Sequence, residues 1–336
     1  MGINISLGFV LWCILALLVI LVVLVLVFIA QSQRRIRRRE AVAHYIENHF
    51  DGWYEYLTKG LGGDVLPKSK RSDIEAIEKI FFAFTQSGSS KDIDRRIIQF
   101  GTEHFGSYYK KQLKSGRWAY RVNTLSKLIE FKLPGFEKIF ANEEILRLSK
   151  YEYFLFLTYL SIFDMERFSY IYFMRRDLSE YENKKIFNRL SDKKAEKLMN
   201  RFEEITLPGK YALIGRIALM PSGTSIEWLE SLLGNRTPEV RIRALKAIQT
   251  IGLVQESCRY DRFYNSDVWE ERMLVTRLAP LIGEKSIPQL KDRLDDHHEM
   301  VRREAARSLS RFKKPMAEWA VPVQRETLTV QKEGEK

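Results

Sequence analysis

The stretch PEVRIRALKAIQTIG, residues 238–252, decides the fold. It begins with a proline and ends with a glycine. The first helical position needs no amide hydrogen, and the position past a helix end often needs left-handed backbone. Between them Val240, Ala244, Leu245, Ala247, Ile248 and Ile251 mark a broad apolar face at helical spacing. Outward from this stretch the pattern returns. Arg241, Arg272 and Arg302 stand 31 and 30 residues apart, Gly252 recurs as Gly283, and Ala244 recurs as Val275 and Ala305. The intervening segment recurs as well: SIEWLESLL from Ser225 matches SIPQLKDRL from Ser286, 61 residues on. A period of about 30 residues with two helices per unit predicts an all-α chain built as an α-solenoid.

These residues resemble the HEAT repeat family, with the PBS-lyase-type modules as the nearest form. The resemblance covers residues 224–312, roughly a quarter of the chain. It implies that an arginine in the first helix of each repeat bonds an acidic or amide side chain about six residues earlier. That pairs Arg241 with Asn235 and Arg302 with Asp296, whereas Arg272 has Ser266 at that spacing and Asp267 beside it. On this reading Arg241, Arg272, Arg302, Asn235 and Asp296 are structural residues at repeat junctions. Pro280 should kink the middle repeat helix. The family spans scaffolds, transport factors and a few enzymes, so it implies a fold rather than one activity.

Toward the N-terminus, residues 7–30 form the uncharged run LGFVLWCILALLVILVVLVLVFIA. As a helix it is about 36 Å long, enough to cross a bilayer core. No basic residue precedes it, its length exceeds a signal-peptide core, and no small-x-small cleavage site follows it. QSQRRIRRRE comes next, and the positive-inside rule puts the C-terminal side in the cytoplasm and residues 1–6 outside. Arg34, Arg35, Arg37, Arg38 and Arg39 read as a topology signal and as contacts to anionic lipid headgroups. Residues 31–57 form a basic, then amphipathic, juxtamembrane segment. Its face of Val42, Tyr45, Ile46, His49, Trp53 and Tyr56 fits either the headgroup layer or a first packing helix of the soluble part.

Residues 58–204 read as a helical region with degenerate repeats. A loop covers residues 60–72, and helices are expected over 73–84, capped by Ser72 or Asp73, and over 92–109. WAYRVNTLSKLIEF from Trp118 places Arg121 where Arg241 sits later, with residues 135–140 as a short return helix. Two very aromatic helices span 152–163 and 165–175, read as core packing. A charged helical pair spans 178–204, and residues 205–314 hold the HEAT-like repeats, with Gly223 near one period before Gly252. Residues 315–336 are a polar tail.

Composition narrows the function. The chain has 336 residues, a net charge of +12 and two cysteines, Cys13 and Cys258, read as small apolar residues. There is no CxxC, no HExxH, no P-loop and no nucleophile elbow, so neither a catalytic nor a metal site is read, and no cofactor is implied. His44 and His49 are five apart and do not share a helical face. His297 and His298 are adjacent and point apart. Glu143, Glu144, Asp295 and Asp296 read as caps and solvated faces, as do Glu270 and Glu271. The expected function is a membrane-anchored, cytoplasmic scaffold binding a protein partner in the same membrane. The alternative is a nucleic-acid-binding solenoid using Arg241, Arg243, Lys246, Arg272, Arg277, Arg302, Arg303 and Arg307. Interleaved acidic residues, Glu239, Glu299 and Glu304 among them, argue against it. A lyase of the phycobilin-lyase kind rests on the repeat resemblance alone.

Overall fold

The computed structural model describes residues 7–62, 70–88 and 90–312. The N-terminal six residues, much of the loop within 60–72 and the polar tail lie outside the described residues. The described chain is all-α, with no strand, and it parts at Ile139/Phe140 into two compact units.

Unit 1 holds four helices: α1 (Leu7–Lys59), α2 (Arg71–Gln86), α3 (Lys91–Leu113) and α4 (Trp118–Glu130). The apolar run and the juxtamembrane segment are not separate elements. They form one helix of 53 residues, about 80 Å long. Its apolar part is long enough to cross a membrane, and its described side chains there are exposed. Nothing between Ala30 and Leu57 breaks it: there is no proline, and Gly52 is followed at once by the anchored Trp53. The helix ends where Gly60 turns to φ +81°, while Arg96 donates to the Leu57 carbonyl at 2.6 Å.

The second half of α1 is the first packing helix of the unit. Val42, Tyr45, Trp53 and Leu57 are buried against α2 and α3. Trp53 therefore does not sit at the headgroups. Its indole is 0% exposed, edge-on to Phe100 at 4.8 Å and Phe81 at 5.4 Å, and donates to the Tyr45 hydroxyl at 3.2 Å. Phe81 also meets Phe131 at 5.8 Å, so α4 closes on the same aromatic cluster. Asp73 lies one turn inside α2 and not at its cap, accepting from the Lys70 amide at 2.9 Å. Residues 135–140 turn and do not form the expected return helix: Gly135 has φ +95° after Pro134, and Glu137 accepts from its amide at 3.0 Å.

Unit 2 contains α5 (Asn142–Leu146), α6 (Lys150–Phe163), α7 (Met165–Tyr172), α8 (Glu180–Phe187), α9 (Asp192–Met199), α10 (Leu207–Ile217), α11 (Gly223–Ser231), α12 (Pro238–Ile251), α13 (Asp261–Tyr264), α14 (Trp269–Ile282), α15 (Ile287–Asp292) and α16 (Glu299–Leu309). The even-numbered helices from α6 to α16 pack each on the next, and α7, α9, α11, α13 and α15 flank them. Ser149 and Ser179 start α6 and α8 with reciprocal side-chain bonds to Glu152 and Glu182. The aromatic pair is mostly core: Tyr153, Phe156, Tyr159, Phe168 and Tyr172 are buried, while Tyr170 is exposed. Gly223 opens α11 and does not close the helix before it; α10 ends earlier, at Ile217. α14 continues through Pro280 to Ile282.

Gly209 marks a close approach at the start of α10. A Cβ there would stand 2.5 Å from the Ile205 side chain and 2.6 Å from the Tyr172 hydroxyl. That hydroxyl is committed to Asn183 at 2.5 Å, so it cannot simply swing away. Gly209→Ala should destabilise the unit by about 1–3 kcal/mol through overpacking, despite alanine's better helix propensity. Thermal melting of the full-length protein checks this; an unchanged or raised melting temperature would mean the contact relaxes freely.

Candidate functional site

Two constellations stand out, one in each unit. In unit 2 the arginines of the repeat make a ladder. The Nη1 of Arg241 donates to the Asn235 carbonyl at 3.0 Å, that of Arg272 to the Ser266 carbonyl at 2.7 Å, and that of Arg302 to the Asp296 carbonyl at 2.7 Å. The bond six residues back thus goes to main chain and not to the expected side chain, and serine serves as well as asparagine or aspartate. Those side chains do a second job. Asn235, Ser266 and Asp296 each accept from the amide two residues on, at 2.9, 3.1 and 2.9 Å, fixing the turn before the next helix. Arg121 in unit 1 repeats the motif, donating to the Ser115 carbonyl at 2.7 Å.

Carboxylates from the following repeat complete the ladder. Arg241 Nε bonds Glu271 at 2.6 Å, and Arg272 grips Asp296 with two bonds of 2.8 Å. Neither acid is on a solvated face: both side chains are 2% exposed. Burial pushes the Asp296 carboxyl up, but hydrogen bonds from Arg272 and the His298 amide, with the Arg272 and Arg293 charges, outweigh it and hold its pKa below the ordinary value. Arg243 is held by Glu239 and Glu180, each at 2.7 Å, Arg277 by Glu304 at 3.1 Å, and Arg303 by Glu299. Glu230, which the sequence pattern does not distinguish, is 1% exposed and accepts from the Gln255 amide at 2.8 Å and the Tyr260 hydroxyl at 2.8 Å.

The second constellation is a cavity of about 490 Å³ in unit 1, missed by motif reasoning because four helices contribute to it. α2 forms one wall with Arg71, Glu75, Glu78, Lys79 and Phe82, residues three and four apart and so on one face. α4 runs alongside: Arg71 stands over the Tyr120 ring at 5.4 Å, Lys127 bonds Glu78 at 2.5 Å, and Phe131 lines the far end with Phe82. α3 adds Tyr108 and Gln112, and α1 adds Arg38, ion-paired to Glu75. Glu78 is buried and also accepts from Tyr109 at 2.9 Å. Arg71 and Arg117 hydrogen-bond the Tyr120 phenol and hold it below its ordinary pKa; burial raises that of Tyr108.

Of the arginines after the apolar run, Arg34, Arg35, Arg37 and Arg39 are exposed on α1, and Arg38 alone of the five lines the cavity. His49 stacks on Tyr45 and His298 on Trp269. Among the described residues no group of His, Cys, Asp or Glu has the arrangement of a metal site. Cys258, read from the sequence as a small apolar residue, is an exposed free thiol. No protein-family model matches this chain, and no curated protein matches its sequence.

Proposed function

We propose that this protein is a membrane-anchored interaction scaffold. α1 spans the bilayer through residues 7–30, the folded units lie in the cytoplasm, and the repeats of unit 2 form a HEAT-like α-solenoid that receives a protein partner from the same membrane. The observation that carries the reading is the continuity of α1. The helix that is apolar enough to span a membrane runs without a break into the core of unit 1, where Trp53 and Leu57 are fully buried. A flexible tether would leave the folded part free to sample the cytosol. A continuous helix confines it at the surface and raises its effective concentration toward other membrane proteins. The five arginines that follow the apolar run favour the cytoplasmic side for the folded units.

The electrostatics of the repeats favour a protein over a nucleic acid. Each of the seven arginines named for the alternative is matched by a carboxylate or a carbonyl of its own chain. A surface of mixed sign suits a complementary protein face better than a uniformly negative polymer. The test is capture of the full-length protein from native membranes at about 0.15 M salt. An integral-membrane partner should be retained, and removing residues 1–30 should weaken the capture. Failure to retain any membrane protein, or duplex DNA binding that survives that salt, would overturn the reading.

A further inference from the structure

The unit 1 cavity has a charge balance that its own residues leave incomplete. Four cations line it, Arg38, Arg71, Lys79 and Lys127, against two carboxylates, Glu75 and Glu78. Both carboxylates are already engaged, Glu75 by Arg38 and Glu78 by Lys127. Arg71 and Lys79 are exposed, and among the described residues neither has a carboxylate partner. They lie eight residues apart on α2, about 12 Å along the helix and about 80° around it, both lining the cavity, and the hydroxyls of Tyr108 and Tyr120 stand beside Arg71. An excess of two positive charges, a guanidinium with fork geometry and two phenol donors match a phosphate monoester dianion better than a carboxylate, which would leave one charge unmatched. Phe82 and Phe131 line the end away from Arg71, one turn beyond Lys79, where an apolar substituent of the ester would rest.

Position narrows the source. Arg38 follows the last residue of the apolar run by eight positions, about 12 Å along the helix. A headgroup layer is roughly 5–8 Å deep on each side of the hydrocarbon. If α1 lies upright in a membrane, the rim of the cavity therefore stands about 4–7 Å beyond the headgroup layer, a gap that the length of an arginine side chain spans. We propose that this cavity is a binding site for a phosphate monoester, held by Arg71 and Lys79 and presented either as a lipid headgroup or as a free phosphorylated solute. The proposal takes from the scaffold reading only the placement of α1, and needs no protein partner.

Titration of the full-length protein in neutral detergent micelles tests it, with native mass spectrometry counting bound ligand. Dioctanoyl phosphatidate should bind saturably at one per chain, and dioctanoyl phosphatidylcholine at least tenfold more weakly. The double variant Arg71→Gln, Lys79→Gln should lose at least tenfold in affinity with an unchanged melting temperature. Arg34→Gln with Arg35→Gln, which removes the same charge from the exposed part of α1, should change it less than threefold. Glycerol phosphate and inorganic phosphate identify the source: binding as tight as phosphatidate assigns a free solute, and weaker binding assigns the headgroup. No saturable binding of any phosphate probe, equal binding of phosphatidylcholine, or an unaffected double variant overturns the proposal. Because the micelle holds no partner, failure here leaves the membrane capture standing, and failure of the capture leaves this result standing.

Discussion

Trp53→Ala should destabilise unit 1 by about 3–5 kcal/mol, the cost of a large buried aromatic truncated in a packed core. The indole is fully buried, meets Phe81, Phe100 and Tyr56 edge-on, and gives the Tyr45 hydroxyl its donor. Truncation leaves a cavity at the point where α1, α2 and α3 meet, and the long rigid α1 cannot collapse inward to fill it. Amide hydrogen exchange on the full-length protein reads the effect directly. At about 1.4 kcal/mol per decade, the slowest amides of α2 and α3 should exchange about two to three and a half decades faster. Trp53→Phe, which keeps most ring contacts and loses the hydrogen bond, should lie between the two. Unchanged exchange in Trp53→Ala would mean that α1 is not integral to this core.

Asp296→Ala should cost a comparable amount, about 3–5 kcal/mol, for a different reason. Removing one partner of a buried ion pair strands the other. Arg272 would lose both its carboxylate bonds, Arg293 would lose its contact at 3.3 Å, and the His298 amide would lose its cap. The same carboxylate makes stability depend on acid. Its folded-state pKa lies below the ordinary value, so the unfolded chain binds its proton first. The contribution is complete above about pH 4, the unfolded value, and is lost as pH falls through the lower folded value. Melting temperature followed from pH 7 downward should show a step below pH 4 that is smaller in Asp296→Asn. Identical acid profiles would exclude Asp296 as its source.

The repeat half of the fold is legible because it is local. Period, apolar spacing, Pro238 and Gly252 all constrain the same few turns of helix, and Gly252 adopts the left-handed φ of +75° that its position suggests. The ladder is legible in its arginines but not in their acceptors. A main-chain carbonyl carries no residue identity, so Ser266 looks like a defect in sequence and serves as an equal in space. Glu271 and Asp296 look like surface charges because their partners lie 30 and 24 residues away. Trp53 fits two environments equally well until its neighbours are known, since both the headgroup layer and a core reward an indole. The cavity is the extreme case. Arg38, Arg71, Tyr108 and Lys127 come from four helices, and no spacing rule joins them.

The unbroken α1 fixes more than proximity. In a continuous helix each residue turns the chain by about 100° and advances it about 1.5 Å. If residues 7–30 lie in a bilayer, as proposed, the azimuth of unit 1 about them is set by counting residues between Ala30 and Val42. One residue inserted there would swing the mouth of the cavity around the membrane normal by more than a right angle while lifting it little, whereas seven would return it to nearly the same bearing, one coil-repeat further out. The segment acts as a keyed shaft: its length, read as an angle, determines what unit 1 faces in the plane of the bilayer.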